Sequence, residues 1–189
     1  MIHMKIKPYI IGISGASCSG KTWLATKIRN KRPDVISIIA LDNYYKDISF
    51  VNSLEYRHDN PNAIDYTNVI SDIEKLIGGN SINVPKYDYN LHSTIGTSLI
   101  EPTPIIIIEG LFTYFNPRLR KLIDFKIWID VEEKIILERR LKRAMEERGD
   151  DYASAMVRYE QDVKPAYHKF IEPLKILTDL KLKIDSYDK

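Results

Sequence analysis

The stretch GASCSGKT, residues Gly15–Thr22, decides the fold. None of its eight residues carries a bulky side chain. It follows the apolar run YIIGIS, residues 9–14, and precedes the helical pattern WLATKIRNKR, residues 23–32. A tight turn does not need so many small residues in a row. We therefore infer that a large ligand approaches this backbone closely.

The spacing of this stretch is the Walker A pattern, in which Gly15 is followed by four small residues and then by Gly20, Lys21 and Thr22. The main-chain N–H groups of such a loop surround a phosphate chain, and the following helix points its positive end at the anion. The ammonium of Lys21 adds a positive charge, and the hydroxyl of Thr22 can bind Mg²⁺. The predicted contacts to ATP are Gly15, Ala16, Ser17, Cys18, Ser19, Gly20, Lys21 and Thr22.

Four apolar, β-branched runs predict strands: PYIIGIS, VISIIAL, PIIIIEG and FKIWIDV. Runs that are apolar along nearly their whole length are typical of strands covered by helices on both faces. Helical patterns lie between them at residues 21–31, 66–77, 117–122, 132–148 and 151–171, and residues 180–184 can add an edge strand. This alternation predicts an α/β fold with a doubly wound, mostly parallel sheet.

The length of 189 residues fits one domain, residues 1–189. Residues 42–61 are polar and aromatic without periodicity, and residues 81–102 resemble strands joined by a polar turn. Both segments are expected to project from the carboxyl ends of the sheet strands, where ligands bind in this fold class. We expect residues 81–102 to form a β-rich substrate-binding insertion and residues 139–158 to form a small lid.

The composition limits the kinds of molecule that this protein is expected to bind. The net charge is only +2, from 28 basic and 26 acidic residues, which argues against bulk binding of nucleic acid or a membrane surface. The single cysteine, Cys18, excludes an intrachain disulfide framework and suits a reducing compartment. No stretch has the pattern of a signal peptide or of a membrane span of about 20 residues. We expect a cytoplasmic protein that acts on small molecules.

Two carboxylates follow predicted buried strands. Glu109 ends the run PIIIIEG, and a carboxylate at the tip of a strand beside the phosphate loop can hold Mg²⁺. The alternative for Glu109 is a carboxylate that caps a helix. Asp42 follows VISIIAL, where it can accept the proton of an attacking hydroxyl, and its alternative role is to begin a turn.

The helical segment 132–148 carries Arg139 and Arg143, which stand four residues apart and share a face. We interpret the pair as a catalytic clamp on a transferred phosphoryl group. The alternative is a solvated helix face, on which arginines pair with Glu138 and Glu146.

Aromatic and imidazole side chains in the irregular segments can stack on a base or a sugar, or simply pack: Tyr44, Tyr45, Tyr87, Tyr89 and His92.

In order and spacing, several stretches together resemble the uridine (uridine-cytidine) kinase family of P-loop nucleoside kinases. They are GISGASCSGKT, LDNYYKD, HDNPNAIDY, VPKYDYNLHS, IIIIEGL, RRLKRAMEERG and VKPAYHKFIEP. The resemblance implies that the γ-phosphoryl group of ATP is transferred to the 5′-hydroxyl of a ribonucleoside, uridine or cytidine. It also implies Mg²⁺ as a cofactor and allows a homo-oligomer, although no stretch marks an interface.

The resemblance further implies roles for individual residues. Asp42 is the catalytic base, Lys21 holds the phosphates, and Thr22, Glu109 and Asp42 surround Mg²⁺. The implied contacts to the nucleoside are Tyr45, Asp59, Tyr87, His92, Arg140 and Arg143.

Several positions depart from the family pattern, among them NPN at residues 60–62, where relatives have HPD. Relatives carry Arg and Gln where this chain has Asp150 and Arg158, and Arg where it has Thr94. Three alternatives therefore stay open among related kinases, namely kinases of nicotinamide riboside, pantothenate or ribulose phosphate. A fourth is a diverged ATP-binding protein without turnover. A GTP-binding switch and a motor ATPase fit less well, because the guanine-reading motif and the acidic pair that they need are missing.

Overall fold

The computed structural model describes residues 7–47 and 59–184. A five-stranded parallel sheet has the order β2-β5-β1-β6-β7, and β3 and β4 form a separate antiparallel pair. The strands are β1 Tyr9–Gly15, β2 Ile36–Ala40, β3 Ile82–Asp88, β4 Ser93–Ile100, β5 Ile105–Glu109, β6 Phe125–Asp130 and β7 Leu180–Lys183. The predicted sheet strands are confirmed. Residues 48–58 of the predicted irregular segment, and with them the start of HDNPNAIDY, lie outside the described residues.

Apolar residues cover both faces of the sheet. In β1, Ile10 belongs to one buried cluster and Ile13 to another, and both are fully buried. In β5, Ile106 and Ile108 belong to the same cluster as Ile10, whereas Ile107 belongs to the same cluster as Ile13. Since successive side chains of a strand point to opposite faces, the two clusters lie on opposite sides of the sheet. The predicted doubly wound α/β fold is thereby confirmed.

Helices connect the strands. They are α1 Lys21–Lys31, α2 Tyr66–Ile77, α3 Pro117–Leu122, α4 Glu133–Arg148, α5 Tyr152–Arg158 and α6 Lys164–Ala166. Short 3-10 turns span Leu41–Tyr44, Pro61–Ala63 and Glu172–Leu177. Asn side chains cap two of these elements: Asn60 accepts from the N–H of Asn62, and Asn116 accepts from the N–H groups of Arg118 and Leu119.

The helix predicted over residues 151–171 is interrupted. Two π-helical stretches, Tyr159–Val163 and Tyr167–Ile171, flank the single turn of α6. Pro165 has no N–H group, and its ring would clash with a carbonyl in the preceding turn of a regular α-helix. A widened turn before Pro165 relieves that clash, and such bulges are frequent at functional sites.

The strands β3 and β4 form a hairpin outside the main sheet. Their pairing runs from Ile82 opposite Ile100 to Asp88 opposite Ser93, with a register shift between Lys86 and Tyr87. The strand pair predicted within residues 81–102 is therefore present. One face of β3 is buried through Ile82 and Val84, whereas Ile95 and Leu99 of β4 are exposed.

Gly12 gives a test of the packing at the centre of the sheet. A Cβ atom at Gly12 would lie 2.6 Å from Cε1 of Tyr114. The Tyr114 ring is fully buried, and its hydroxyl donates to the Ile127 carbonyl at 2.8 Å, so the ring has no room to move away. We expect Gly12→Ala to lower the free energy of unfolding by about 1–3 kcal/mol, the usual cost of overpacking.

Urea unfolding measures this change. The control is Gly78→Ala, at the end of α2, where φ is −71° and the nearest atom to the added methyl would be 3.2 Å away. We expect that variant to stay within about 1 kcal/mol of the original protein. Equal losses in both variants would contradict the packing argument.

Candidate active site

Three neighbouring strands end at the site. In the register of the sheet, Glu109 of β5 lies between Ile13 of β1 and Ala40 of β2. Asp42 follows two residues after Ala40, in the 3-10 turn Leu41–Tyr44. Because the strands are parallel, their carboxyl ends meet at one edge of the sheet. The phosphate loop and both predicted carboxylates therefore lie together.

The phosphate loop joins β1 to α1 through two constrained glycines. At Gly15, an added Cβ would lie 2.6 Å from the carbonyl oxygen of Ile129 and 2.9 Å from Oγ of Ser19. Gly20 has a φ of 98°, in the left-handed region that only glycine adopts without strain. The small residues of GASCSGKT thus permit a backbone path that larger side chains would block.

Lys21 is buried at the start of α1. Its ammonium donates to the carbonyl of Ala16 at 2.8 Å and to that of Gly15 at 3.3 Å. Burial lowers the pKa of Lys21, while the charges of Glu109 and Asp42 act in the opposite direction. The ammonium therefore lies inside the loop, beside two carboxylates, and phosphate oxygens can replace the loop carbonyls as its partners.

Thr22 and Glu109 bring two hard oxygen ligands together. The hydroxyl of Thr22 donates to Oε1 of Glu109 at 2.9 Å, and Glu109 is only 3% exposed. Burial raises the pKa of the Glu109 carboxyl, as does the neighbouring charge of Asp42. Hydroxyl and carboxylate oxygens are ligands that Mg²⁺ accepts, so this donor set fits that ion.

Asp42 lines a cavity together with Tyr89, one of the tyrosines for which the sequence left ring stacking and simple packing open. Tyr89 lies in the turn after β3. Burial raises the pKa of Asp42, although the ammonium of Lys21 and the hydroxyl of Tyr89 lower it. The pKa of Tyr89 is itself raised by burial and by the charge of Asp42, so its phenol stays a donor at neutral pH.

A cavity of about 620 Å³ opens beside this carboxylate. Such a volume is typical of sites for small molecules. Seven of the predicted site residues line it: Ser17, Asp42, Tyr45, Asp59, His92, Arg140 and Arg143. Tyr89, for which the sequence left ring stacking and simple packing open, also lines it. Further lining residues were not predicted as ligand contacts: Asn60, Asn90, Leu111, Arg158, Gln161, Asp162, Val163, Pro165, Ala166, Lys169 and Phe170. Some of these residues lie in turns, which have no periodic pattern, and others lie in the π-helical stretches, where the helical pattern predicted over residues 151–171 did not indicate which residues face the cavity.

Three arginines of α4 lie at the phosphate loop or at the cavity. Arg140 donates to Oγ of Ser17 at 2.6 Å and lies 3.4 Å from the Asp59 carboxylate, so it links the loop to the cavity. Arg139 donates to the carbonyl of Cys18 at 3.4 Å. Arg143 lines the cavity and acts electrostatically on both Lys21 and Asp42.

Three tyrosines pack against one another beside the cavity. The ring centroids of Tyr45 and Tyr87 lie 5.7 Å apart, those of Tyr45 and Tyr89 5.7 Å apart, and those of Tyr87 and Tyr89 5.3 Å apart. Tyr45 and Tyr89 line the cavity, whereas Tyr87 packs behind them. Tyr87 therefore supports the cavity wall in this structure.

Three residues that depart from the family pattern, Asp150, Arg158 and Thr94, contact other residues of the chain. Arg158 donates to both carboxylate oxygens of Asp150, at 2.9 and 3.5 Å, so the two unusual residues pair with each other. The N–H and hydroxyl of Thr94 both donate to Asp47, at 2.8 and 3.1 Å. Arg158 also lines the cavity and brings a guanidinium group to its wall.

Residues 7–47 and 59–184 contain no cluster of three His, Cys, Asp or Glu side chains placed to hold a metal ion. Mg²⁺ in kinase sites is usually bound by one or two protein oxygens together with substrate phosphates, so such a cluster is not required. Within the same residues, no helix has the length and apolar character to cross a bilayer.

Comparison with known proteins identifies relatives along nearly the whole chain. The sequence model of the phosphoribulokinase / uridine kinase family matches residues 10–186. A uridine kinase of Streptococcus thermophilus is 40% identical over 182 residues, which cover 94% of this chain and 86% of that protein. A uridine kinase of Clostridium perfringens is 37% identical over 179 residues, with coverages of 92% and 86%.

Solved structures share the fold at lower identity. A candidate fructose transport system kinase from Silicibacter sp. TM1040 superposes with a TM-score of 0.82 at 19% identity, over 96% of this chain and 93% of that one. Phosphoribulokinase from Rhodobacter spheroides gives a TM-score of 0.67 at 14% identity, over 94% and 70%. These likenesses support the α/β fold described above.

Lys21 gives a test of the phosphate loop. We expect Lys21→Ala to lower kcat/KM for ATP by at least about 100-fold, because a positioned charge that faces transferring phosphates is worth several kcal/mol. Lys27→Ala, at an exposed position on the same helix, is the control and is expected to change kcat/KM by less than about twofold. Steady-state kinetics with varied ATP measures both. Unchanged ATP kinetics in Lys21→Ala would argue against a triphosphate in this loop.

Proposed function

Because this chain belongs to the phosphoribulokinase / uridine kinase family, we propose that it transfers the γ-phosphoryl group of ATP to the 5′-hydroxyl of a pyrimidine ribonucleoside, uridine or cytidine. One observation carries the proposal. The Lys21 ammonium, the Thr22–Glu109 pair and the Asp42 carboxylate converge at one edge of the sheet, and Asp42 also lines the adjoining small-molecule cavity. The proposed site for ATP, the phosphoryl donor, and the proposed site for the nucleoside thus meet at Asp42.

On the donor side, the loop amides and Lys21 bind the phosphates and neutralise their charge. In the reaction, the bond from the γ-phosphorus to the bridging oxygen breaks, and a bond from the 5′-oxygen to phosphorus forms. Lys21 faces the oxygens that become more negative, and Arg139 and Arg143 approach them from α4. The protein contributes mainly by positioning groups and stabilising charge.

Thr22, Glu109 and Asp42 would hold Mg²⁺. The hydrogen bond of 2.9 Å between Thr22 and Glu109 already brings two of these oxygen donors together. When bound, the ion supplies positive charge to the phosphate oxygens.

On the acceptor side, Asp42 accepts the proton of the 5′-hydroxyl as that oxygen attacks phosphorus. Asp59 and Arg140 stand on the same cavity wall, and we assign Asp59 to the ribose hydroxyls. Tyr45 and His92 provide ring faces and polar tips for the base, with Tyr87 packed behind Tyr45. We propose that residues 81–102 act as the nucleoside-binding insertion and residues 139–158 as the lid.

A panel of acceptors tests this function. ADP release is measured with uridine, cytidine, nicotinamide riboside, pantothenate and ribulose 5-phosphate, each with ATP and Mg²⁺. We expect uridine and cytidine to give kcat/KM values at least about tenfold above the others, since each well-placed polar contact contributes about 1.4 kcal/mol or more. Preference for another acceptor would reassign the substrate. ATP binding without turnover of any acceptor would indicate a diverged binding protein.

Asp42 gives a separate test of the chemistry. We expect Asp42→Asn to lower kcat by about 10²- to 10⁴-fold, because the amide cannot accept the proton. ATP affinity is expected to stay within about threefold, since Lys21 and the loop amides remain. Steady-state kinetics measures kcat, and equilibrium binding of ATP measures its affinity.

The control is Asp34→Asn. Asp34 is exposed, pairs with Arg32 at 3.1 Å and does not line the cavity. We expect it to leave kcat within about twofold. Near-normal turnover in Asp42→Asn would remove Asp42 from the role of base.

A further inference from the structure

One guanidinium group joins the phosphate loop to the wall of the cavity. Nη1 of Arg140 donates to Oγ of Ser17 at 2.6 Å, and Nη2 donates to Oδ2 of Asp59 at 3.4 Å. Ser17 belongs to the loop whose main-chain N–H groups are predicted to bind the phosphates of ATP, and Asp59 lines the cavity proposed for the nucleoside. A single side chain therefore contacts both proposed binding sites.

The contact is largely enclosed by protein. The side chains of Arg140 and Asp59 are only 18% and 16% exposed. Arg139, the preceding residue of α4, donates to the carbonyl of Cys18 at 3.4 Å, so α4 packs against the loop at this point. Charges that are partly shielded from water interact more strongly than charges on an open surface. A charge that arrives in the loop therefore acts on the ion pair between Arg140 and Asp59.

The two bonds of the guanidinium group differ in length. The bond to Ser17 is short, whereas the distance of 3.4 Å to Asp59 exceeds the roughly 2.7–2.9 Å of a strong charge-assisted hydrogen bond. The guanidinium group is planar and rigid, so its nitrogen atoms move together. Movement of the group toward the loop therefore weakens the bond to Asp59 first.

The phosphates of ATP would attract this group. They carry several negative charges, and their oxygens are stronger acceptors than the neutral hydroxyl of Ser17. When Arg140 turns toward them, the oxygen of Asp59 that it occupied becomes available to the ribose hydroxyls. Conversely, ribose hydroxyls bound to Asp59 release Arg140 toward the loop.

Resting on the proposed nucleoside kinase activity, we propose that Arg140 is a positioning residue that couples the binding of ATP to the binding of the nucleoside. It does so by exchanging the Asp59 carboxylate for the phosphates. Each substrate then increases the affinity of the protein for the other by the same factor. The complex with both substrates is thereby favoured over a complex with either one alone.

Isothermal titration calorimetry measures the coupling without turnover. Uridine is titrated into the protein alone and into protein saturated with Mg²⁺ and an ATP analogue whose β,γ-bridging oxygen is replaced by an imido group. We expect the Kd of uridine to be at least about fivefold lower with the analogue. Equal Kd values in the two titrations would contradict the proposal.

Arg140→Met removes the charge and keeps a long apolar stem. We expect its two Kd values for uridine to agree within about twofold, because the group that connects the two sites is gone. Coupling as large as in the original protein would overturn the proposal.

Arg158→Met is the matched control. Arg158 lines the same cavity and also donates to an aspartate, Asp150 at 2.9 Å, but that partner lies after the end of α4 instead of in the loop or beside it. We expect the coupling factor to stay within about twofold of that of the original protein. An equal loss in both arginine variants would show that any positive charge in the cavity produces the effect, and the proposal would be wrong.

Asp59→Asn gives a second test, with an effect of opposite sign. Because the amide carries no charge, Arg140 turns toward the phosphates without breaking an ion pair. We expect the ATP analogue, in the absence of nucleoside, to bind about 3- to 10-fold more tightly than to the original protein. In the background of Arg140→Met, the same substitution is expected to change this affinity by less than about twofold. Additive effects would show that the charge of Asp59 acts directly on the phosphates, which contradicts the role of Arg140.

These measurements separate the coupling from the proposed function. If uridine and cytidine are phosphorylated but the coupling is absent, the role of Arg140 alone is wrong. If no nucleoside is bound or turned over, the proposed function fails. The double-mutant cycle of Asp59→Asn and Arg140→Met then still decides on the link, since it uses only the ATP analogue: non-additive effects support it, and additive effects overturn it.

Discussion

The site depends on one buried ammonium between carboxylates. Lys21 lies within hydrogen-bonding distance of its own loop's carbonyls, and Glu109 and Asp42 act on it from the ends of β5 and β2. Burial disfavours the charge on each of the three groups, and the Lys21 charge favours the ionised form of both carboxylates, whereas the charge of Asp42 disfavours that of Glu109. The parallel register that aligns Ile13, Glu109 and Ala40 is what brings them together.

The cavity is assembled from elements that are distant in the sequence. The turn after β2 supplies Asp42, the turn of the hairpin supplies Tyr89 and His92, and α4 supplies Arg140 and Arg143. A further part of the wall comes from the π-helical stretch Tyr159–Val163 and the residues that follow it. The hydrogen bond from Arg140 to Ser17 then joins α4 to the phosphate loop.

Much of this arrangement could be predicted from the sequence because it follows from local patterns. The spacing within GASCSGKT and the apolar runs identified the loop, the strands and the edge at which Asp42 and Glu109 meet. Side-chain partners inside the turns could not be predicted in the same way. Tyr87 and Tyr89 have similar sequence surroundings, but a register shift at Tyr87 and the end of β3 at Asp88 leave only Tyr89 on the cavity.

Helical spacing singled out Arg139 and Arg143, yet Arg140 makes the link between Ser17 and Asp59. That contact depends on how α4 is rotated against the loop, which is a tertiary property. Likewise Pro165 indicates a disturbed helix, but its sequence position alone does not show that the widened turn would form a cavity wall.

The ion pair between Asp150 and Arg158 spans the elbow between α4 and α5. Gly149 closes α4 with a φ of 71°, and the Arg158 guanidinium reaches back across this turn to both oxygens of Asp150. Opening the angle between the two helices would break both bonds. The pair therefore links the end of α4 to the end of α5 across the turn, as a partly exposed ion pair.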